Sequence, residues 1–188
     1  MDYSVVPEQK REGIMRLQLF LNDEDYVAYN IAYQFQTKNG KTGVTINRWI
    51  TPALSLMFIL CFWLCGFPLY IIIAECITLT ALSVYSVLTT EKRIKKRIRK
   101  QVENLKKQGK LPYENEATID ISEEMIMEYT PSTSKRILWS EITQILYDEE
   151  HVYLMFSVIQ ALMIPYRCVG PMKEPLLAYI RQRTGIQF

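Results

Sequence analysis

"ITPALSLMFILCFWLCGFPLYIIIAECITLTALSVYSVLTT", residues 50–90, decides how the rest of this chain is read. Its forty-one residues carry one formal charge, Glu75. A helix needs about 20 mostly apolar residues to cross a hydrocarbon core roughly 30 Å thick, so the stretch is long enough to cross twice. Gly66-Phe67-Pro68 interrupts it, which gives two spans, 49–66 and 68–90, joined by a very short turn. A helical hairpin buried in a soluble protein would instead need polar outer faces, and these residues have none.

The flanks orient the hairpin. Lys38, Lys41 and Arg48 precede it, Lys92, Arg93, Lys95, Lys96, Arg97, Arg99 and Lys100 follow it, and the turn contains no Lys or Arg. By the positive-inside rule both termini are cytoplasmic and the turn barely reaches the opposite face. The forty-eight residues before the first span are largely polar, so the expectation is an uncleaved first span that serves as its own insertion signal. Of the four cysteines, Cys61, Cys65 and Cys76 lie in the spans and Cys168 far downstream. No CxxC pair is formed, and neither a zinc site nor a disulfide framework is expected.

Charge is unevenly spread. The net charge is +2, but residues 91–110 hold ten Lys or Arg against two Glu, and residues 111–188 hold six basic against eleven acidic side chains. Ile94, Ile98, Val102 and Leu105 recur at helical spacing within the basic block, so 91–110 reads as a basic juxtamembrane helix stopped by Gly109 and Pro112. Basic residues near an anionic leaflet contribute about 1 kcal/mol each, which makes the lipid bilayer and anionic lipid headgroups expected partners. The block lacks interleaved aromatics and abuts a span, and no nucleic acid is expected.

Outside the hairpin, residues 1–48 read as a cytoplasmic strand and an amphipathic helix. Met15, Leu17, Leu19 and Leu21 alternate with Arg16, Gln18 and Phe20. Asn22 or Asp23 would cap a Tyr-rich helix that Asn39-Gly40 ends. Residues 111–188 switch to strands: "ATIDI", "EMIMEYT", "KRILW", "ITQILYDEE", "HVYLMFS" and "ALMIPYR", separated by polar turns. A helix of about three turns follows, from near Pro171 to before Gly185. The fold class is therefore an α+β membrane protein: a two-helix transmembrane hairpin plus a small pleckstrin-homology-like (PH-like) barrel or sheet capped by a C-terminal helix. The strand at Met15–Leu21 would supply a seventh strand, with the hairpin inserted in one split domain.

The stretches "LNDEDYVAYNIAY" (21–33), "ISEEMIMEYT" (121–130), "LWSEITQIL" (138–146), "VYLMFS" (152–157) and "IPYR" (164–167), in this order around two spans, resemble the YcxB-like bacterial membrane proteins. The family's Trp-x-x-Ile element falls on Trp139 and Ile142, and its Ile-Pro-x-Arg element on Ile164, Pro165 and Arg167. Tyr166, Cys168 and Val169 stand where the family usually has Lys and a following Phe. The resemblance implies a PH-like cytoplasmic domain on a two-span anchor in the bacterial inner membrane, and implies no activity.

Trp139 reads first as a core plug, and Arg167 as a tie between the rim of the sheet and nearby acidic groups. Glu75 is an ionisable group inside a span, which costs a few kcal/mol near the bilayer centre and marks a candidate site. Ion or proton handling, helix association and a merely tolerated protonated carboxyl all remain open for it. His151 lies in "DEEHVYL", a turn by this reading, with no nucleophile motif, and Asp148, Glu149 and Glu150 read as a solvated turn. No enzymatic activity, metal or cofactor is expected. The leading reading is a membrane-anchored interaction module with a protein partner or a second copy of itself. Self-immunity against a bacteriocin or toxin, and a small oligomeric channel built around Glu75, are the alternatives.

Overall fold

Leu17 and Leu19 alternate with Gln18 and Phe20 along the first strand, so one face is apolar and seeks a core. In the computed structural model, which describes residues 15–188 of the chain, this strand, β1 (Met15–Phe20), pairs antiparallel with β2 (Glu116–Ile121). Met15 stands opposite Ile121 and Phe20 opposite Glu116. Residues 1–14 of the segment assigned above as 1–48 lie outside the described residues.

The chain forms two units. Among the described residues, one comprises residues 15–25 together with Pro112–Phe188, and the other is Tyr26–Leu111. In the first, β1, β2, β3 (Met125–Tyr129) and β4 (Ser134–Leu138) make a four-stranded antiparallel sheet. Strands β5 (Gln144–Tyr147), β6 (His151–Met155) and β7 (Ala161–Pro165) make a three-stranded one. A short turn of helix, α4 (Tyr166–Val169), leads to α5 (Lys173–Thr184). Leu17, Leu19, Ile119, Ile121, Ile126 and Ile137 of the larger sheet share one core with Ile145, Val152, Leu154, Leu162 and Ile164 of the smaller. Leu176, Leu177 and Ile180 of α5 complete it. Those three positions recur at helical spacing, and burying them gives α5 its place. Gly185, at φ 69°, then ends the helix in the left-handed conformation.

The second unit is helical. It continues α1 (Asp23–Gln36) into α2 (Lys38–Leu64) and α3 (Leu69–Lys107). Both α2 and α3 are long and apolar enough to cross a membrane. The break between them falls where the sequence places it. Cys65 caps α2, and Gly66 adopts φ 72°, a conformation disfavoured for any residue with a Cβ. No Gly or Pro occurs from Leu69 to Lys107, so nothing interrupts α3. Its 39 residues extend about 58 Å at 1.5 Å per residue. The basic block is thus the end of this same helix, as expected for a span that continues out of the bilayer.

Two helix boundaries differ from those read in the sequence. Helix α1 stops at Gln36, and α2 begins at Lys38, well before Trp49. Asn39-Gly40, read as a terminator, sits in the first turn of α2. Thr37 caps that turn by accepting a hydrogen bond from Gly40 N at 3.0 Å and donating one to Tyr33 O at 2.7 Å. Gly40 is required for close approach: a Cβ here would lie 2.4 Å from the carbonyl oxygen of Gln34 and 2.5 Å from that of Tyr33.

Polar contacts join α2 to α3 near their basic ends. Ser86 Oγ donates to Thr51 Oγ1 at 3.0 Å and Ser83 Oγ to Ser55 Oγ at 3.1 Å. Arg48 pairs with Glu91 across the seam at 2.9 Å, and within α3 Arg93 donates to the carbonyl and hydroxyl oxygens of Ser86, both at 2.8 Å. Small hydroxyl residues allow helices to approach closely and hydrogen-bond across the seam.

Candidate functional site

The densest polar constellation lies where α1 starts. Asn22 caps α1, and Asp25, three residues on, completes a reciprocal box: Asp25 N donates to Asn22 Oδ1 at 3.0 Å and Asn22 N to Asp25 Oδ2 at 2.7 Å. Leu21 N, just before it, donates to Asn115 O at 2.8 Å and anchors this corner to the strand entering β2. Asp25 is 2% exposed, an unusual setting for a carboxylate, and its partners explain it. Arg167, on α4, donates through both terminal nitrogens to the two carboxylate oxygens, at 2.6 Å for one of them, and also to Phe20 O at 2.7 Å. The forked geometry of guanidinium on carboxylate suits this pair, in which a half-exposed Arg167 meets a buried Asp25.

His151 supplies the third side of the cluster. It is 3% exposed, with Nε2 2.9 Å from Asp25 Oδ1 and Nδ1 2.9 Å from Asp148 Oδ1. Its ring stacks on Tyr153, with centroids 5.6 Å apart and planes 17° from parallel. Tyr153 in turn donates its hydroxyl to Asp148 Oδ2 at 2.7 Å, and Glu150 N donates to Asp148 Oδ1 at 2.8 Å. Two of the sequence expectations are corrected here. His151 is not a turn residue but the buried first residue of β6, opposite Pro165 of β7. Asp148 is not merely solvated, because its carboxylate closes the β5–β6 turn and meets the imidazole.

The pKa shifts follow from these contacts. Burial alone would raise Asp25, but the Arg167 and His151 hydrogen bonds outweigh it and lower its pKa. Burial likewise opposes ionisation of Asp148, yet the His151 and Tyr153 hydrogen bonds pull it down to about 2. For His151, burial works against the proton while the two carboxylates favour it, and the net shift is upward. The shifts all favour the charged forms, and Asp25 and His151, the two fully buried members, are the ones for which loss of a partner would be costly.

The motif residues fall elsewhere in the β unit. Trp139, Ile142 and Ile164 are buried in the common core. Trp139 Nε1 donates to Ser122 O at 3.0 Å, and its ring meets Tyr179 edge-on at 5.7 Å. Pro165 ends β7 at the entry to α4, where its missing N–H breaks no ladder. Trp139→Phe keeps most of the buried ring and removes the indole hydrogen bond, while Tyr179 still donates to Ser122 O at 3.2 Å. The expected cost is about 1–2 kcal/mol, read from the urea unfolding midpoint.

Lys92, Arg93, Lys95, Lys96, Arg97, Arg99 and Lys100 are all exposed on α3, and Ile94 and Val102 on the same helix are buried. Glu75 is half-buried on α3 and, among the described residues, has no hydrogen-bond or ion-pair partner. No group of three His, Cys, Asp or Glu suited to a metal is present among the described residues. On the outer face of the larger sheet an open groove of about 340 Å³ is lined by Gln18, Phe20, Glu116, Thr118, Tyr129 and Pro131.

The signals for the cluster were local. Asn22 and Asp25 have capping-box spacing, and Arg167 belongs to the recognised Ile-Pro-x-Arg element. Nothing in the spacing of His151 joins it to residues more than a hundred positions earlier. No curated protein and no solved structure matches the chain significantly. The model of one family, the YcxB-like proteins, does match residues 121–175, the stretch that holds Trp139, Asp148, His151, Ile164 and Arg167. Over residues 121–175 this chain is similar to the YcxB-like proteins.

Proposed function

We propose that this protein is a membrane-anchored interaction module: α2 and α3 form a two-span hairpin in a bacterial inner membrane, and the β unit is a PH-like domain presented to the cytoplasm. The observation that carries the reading is the exposure of the apolar helices. Only 11% of the most apolar window of α2 and 6% of that of α3 is buried, and Trp49, Leu56, Trp63 and Leu88 are among the exposed side chains. A core helix of a soluble protein would be mostly buried, whereas contiguous exposed apolar surface of this extent calls for lipid or protein cover. The β unit meanwhile has its own complete core, so the helices are not needed to fill it.

Several features support the finer statements. Seven antiparallel strands in a four-plus-three arrangement with a C-terminal helix are the parts of a PH-like domain, with the hairpin inserted between its first and second strands. The exposed basic residues at 92–100 favour the anionic cytoplasmic leaflet and hence cytoplasmic termini. Exposed Phe20 and Tyr129 beside Glu116 suit a partner segment that presents a cationic side chain.

Two measurements test the reading. After expression in a bacterial host, the chain is expected to stay in the membrane pellet through alkaline carbonate and high-salt washes; release into the supernatant would discard the anchor. A photo-crosslinking residue at Thr118, in the groove, is expected to capture a discrete protein partner in cells. Labelling no greater than from a site on the opposite end of the sheet, such as Glu124, would discard the interaction surface.

A further inference from the structure

We propose that Asp25, His151, Asp148 and Arg167 form a proton-dependent latch, in which the doubly protonated imidazole of His151 holds the first turn of α1 to the β unit and loss of one proton releases it. The inference begins from geometry. Each ring nitrogen of His151 lies 2.9 Å from a carboxylate oxygen. A neutral imidazole has one N–H and one lone pair, so it can satisfy only one of these carboxylates and turns a lone pair on the other. The imidazolium, with two N–H donors, satisfies both.

The groups facing the ring set the balance. Asp25 approaches from α1, Asp148 from the β5–β6 turn with Glu150 behind it, Tyr153 from β6, and Arg167 and Tyr166 from α4, whose first N–H donates to Glu150 O at 2.8 Å. With His151 charged, the two carboxylates are matched by two cations. Without that proton, one carboxylate is left in excess and faces a lone pair in a nearly dry setting, where such mismatches are costly.

Asp25 is the member that makes this a latch. It is bonded at once to the Asn22 cap, to Arg167 and to His151, so loosening it frees the helix start. The sign follows from the upward shift of His151. Its stabilisation is fully present below the ordinary value of 6.5 and is lost as pH rises through the folded-state pKa. Alkalinisation therefore opens the latch and mild acid closes it.

His151 is the chain's single histidine, so selective ¹⁵N-histidine labelling gives one pair of imidazole signals from the full-length protein in detergent. At pH 6 both ring nitrogens are expected to carry protons; one neutral tautomer at that pH overturns the proposal. Across the imidazole titration, hydrogen exchange of the Leu21, Asn22 and Asp25 amides, corrected for intrinsic pH dependence, is expected to accelerate about tenfold for each unit by which the folded pKa exceeds the unfolded one. Core amides of Ile119 and Leu154, which open only with the whole β unit, are expected to stay far slower than these three at every pH. His151→Gln, which cannot gain a second charged donor, is expected to flatten the pH dependence. Should that variant fold poorly, the wild-type exchange profile decides alone: unchanged Leu21, Asn22 and Asp25 amides through the titration, or exchange of these three as slow as that of the core amides, overturns the latch.

Discussion

Replacing Asp25 with alanine is expected to lower the unfolding free energy of the β unit by about 3–5 kcal/mol, the usual cost of removing one member of a buried charge pair. The substitution takes away the carboxylate that faces both Arg167 and His151, together with half of the α1 capping box. Arg167 can recover part of its solvation, because its side chain is 44% exposed, but that of His151 is only 4% exposed. The imidazole then keeps only Asp148 as a partner, and its buried Nε2 is left without one. Urea unfolding followed through Trp139, with the α2 tryptophans Trp49 and Trp63 replaced by Phe in both proteins compared, reads the change. A loss under about 1 kcal/mol would show that the pair is in effect solvated, as exposed pairs are.

The same network bounds the pH range of greatest stability. Asp25 and Asp148 have lowered pKa values, so their contribution is present above the ordinary carboxylate value of 3.8 and fades as pH falls, for Asp148 toward about 2. His151 contributes below 6.5 and fades above it. The two limits place the plateau between about pH 4 and 6.5, with decline on either side.

Gly40→Ala is expected to destabilise the helical unit by about 2 kcal/mol or more, against a helix-propensity gain of up to about 1 kcal/mol that alanine would otherwise bring. The added Cβ would lie 2.4–2.6 Å from backbone atoms of Tyr33 and Gln34, none of which can move without opening the α1–α2 corner. Opening it also strains the Thr37 cap and the bond from Gln34 Nε2 to Gly40 O at 3.0 Å. Gly43→Ala is the control, since its Cβ would meet only the mobile end of the Gln34 side chain, at 3.1 Å. Detergent-titration unfolding followed by circular dichroism should separate the two, with Gly43→Ala neutral or stabilising. Equal effects would show that the corner does not depend on this close approach.

Much of the fold was legible because its signals are local. Alternation marked β1, short runs rich in Ile, Val, Tyr, Thr and Leu between polar turns marked the later strands, and the helical recurrence of Leu176, Leu177 and Ile180 marked α5. The apolar run from Ile50 to Thr90 carried the two long helices. What local pattern missed was where helices begin. Asn39-Gly40 looks like a stop, yet here Thr37 caps and Gly40 admits a new helix, because the test is whether a backbone carbonyl lies within reach of a missing Cβ.

The candidate site divides along the same line. Trp139, Ile142, Ile164 and Arg167 were singled out as short motifs, while Asp148 and His151 read as a turn and Asp25 was not singled out. Sequence by itself determined the periodicities, the uneven charge and the two apolar helices, since each depends on neighbours a few residues apart. Only the tertiary structure decided that β1 pairs with β2 across the long insertion, and that a histidine meets an aspartate 126 positions away. The physical reason is that a buried charge is tolerated only beside its partner, and that partner is chosen by the packing of the whole unit, not by any spacing along the chain.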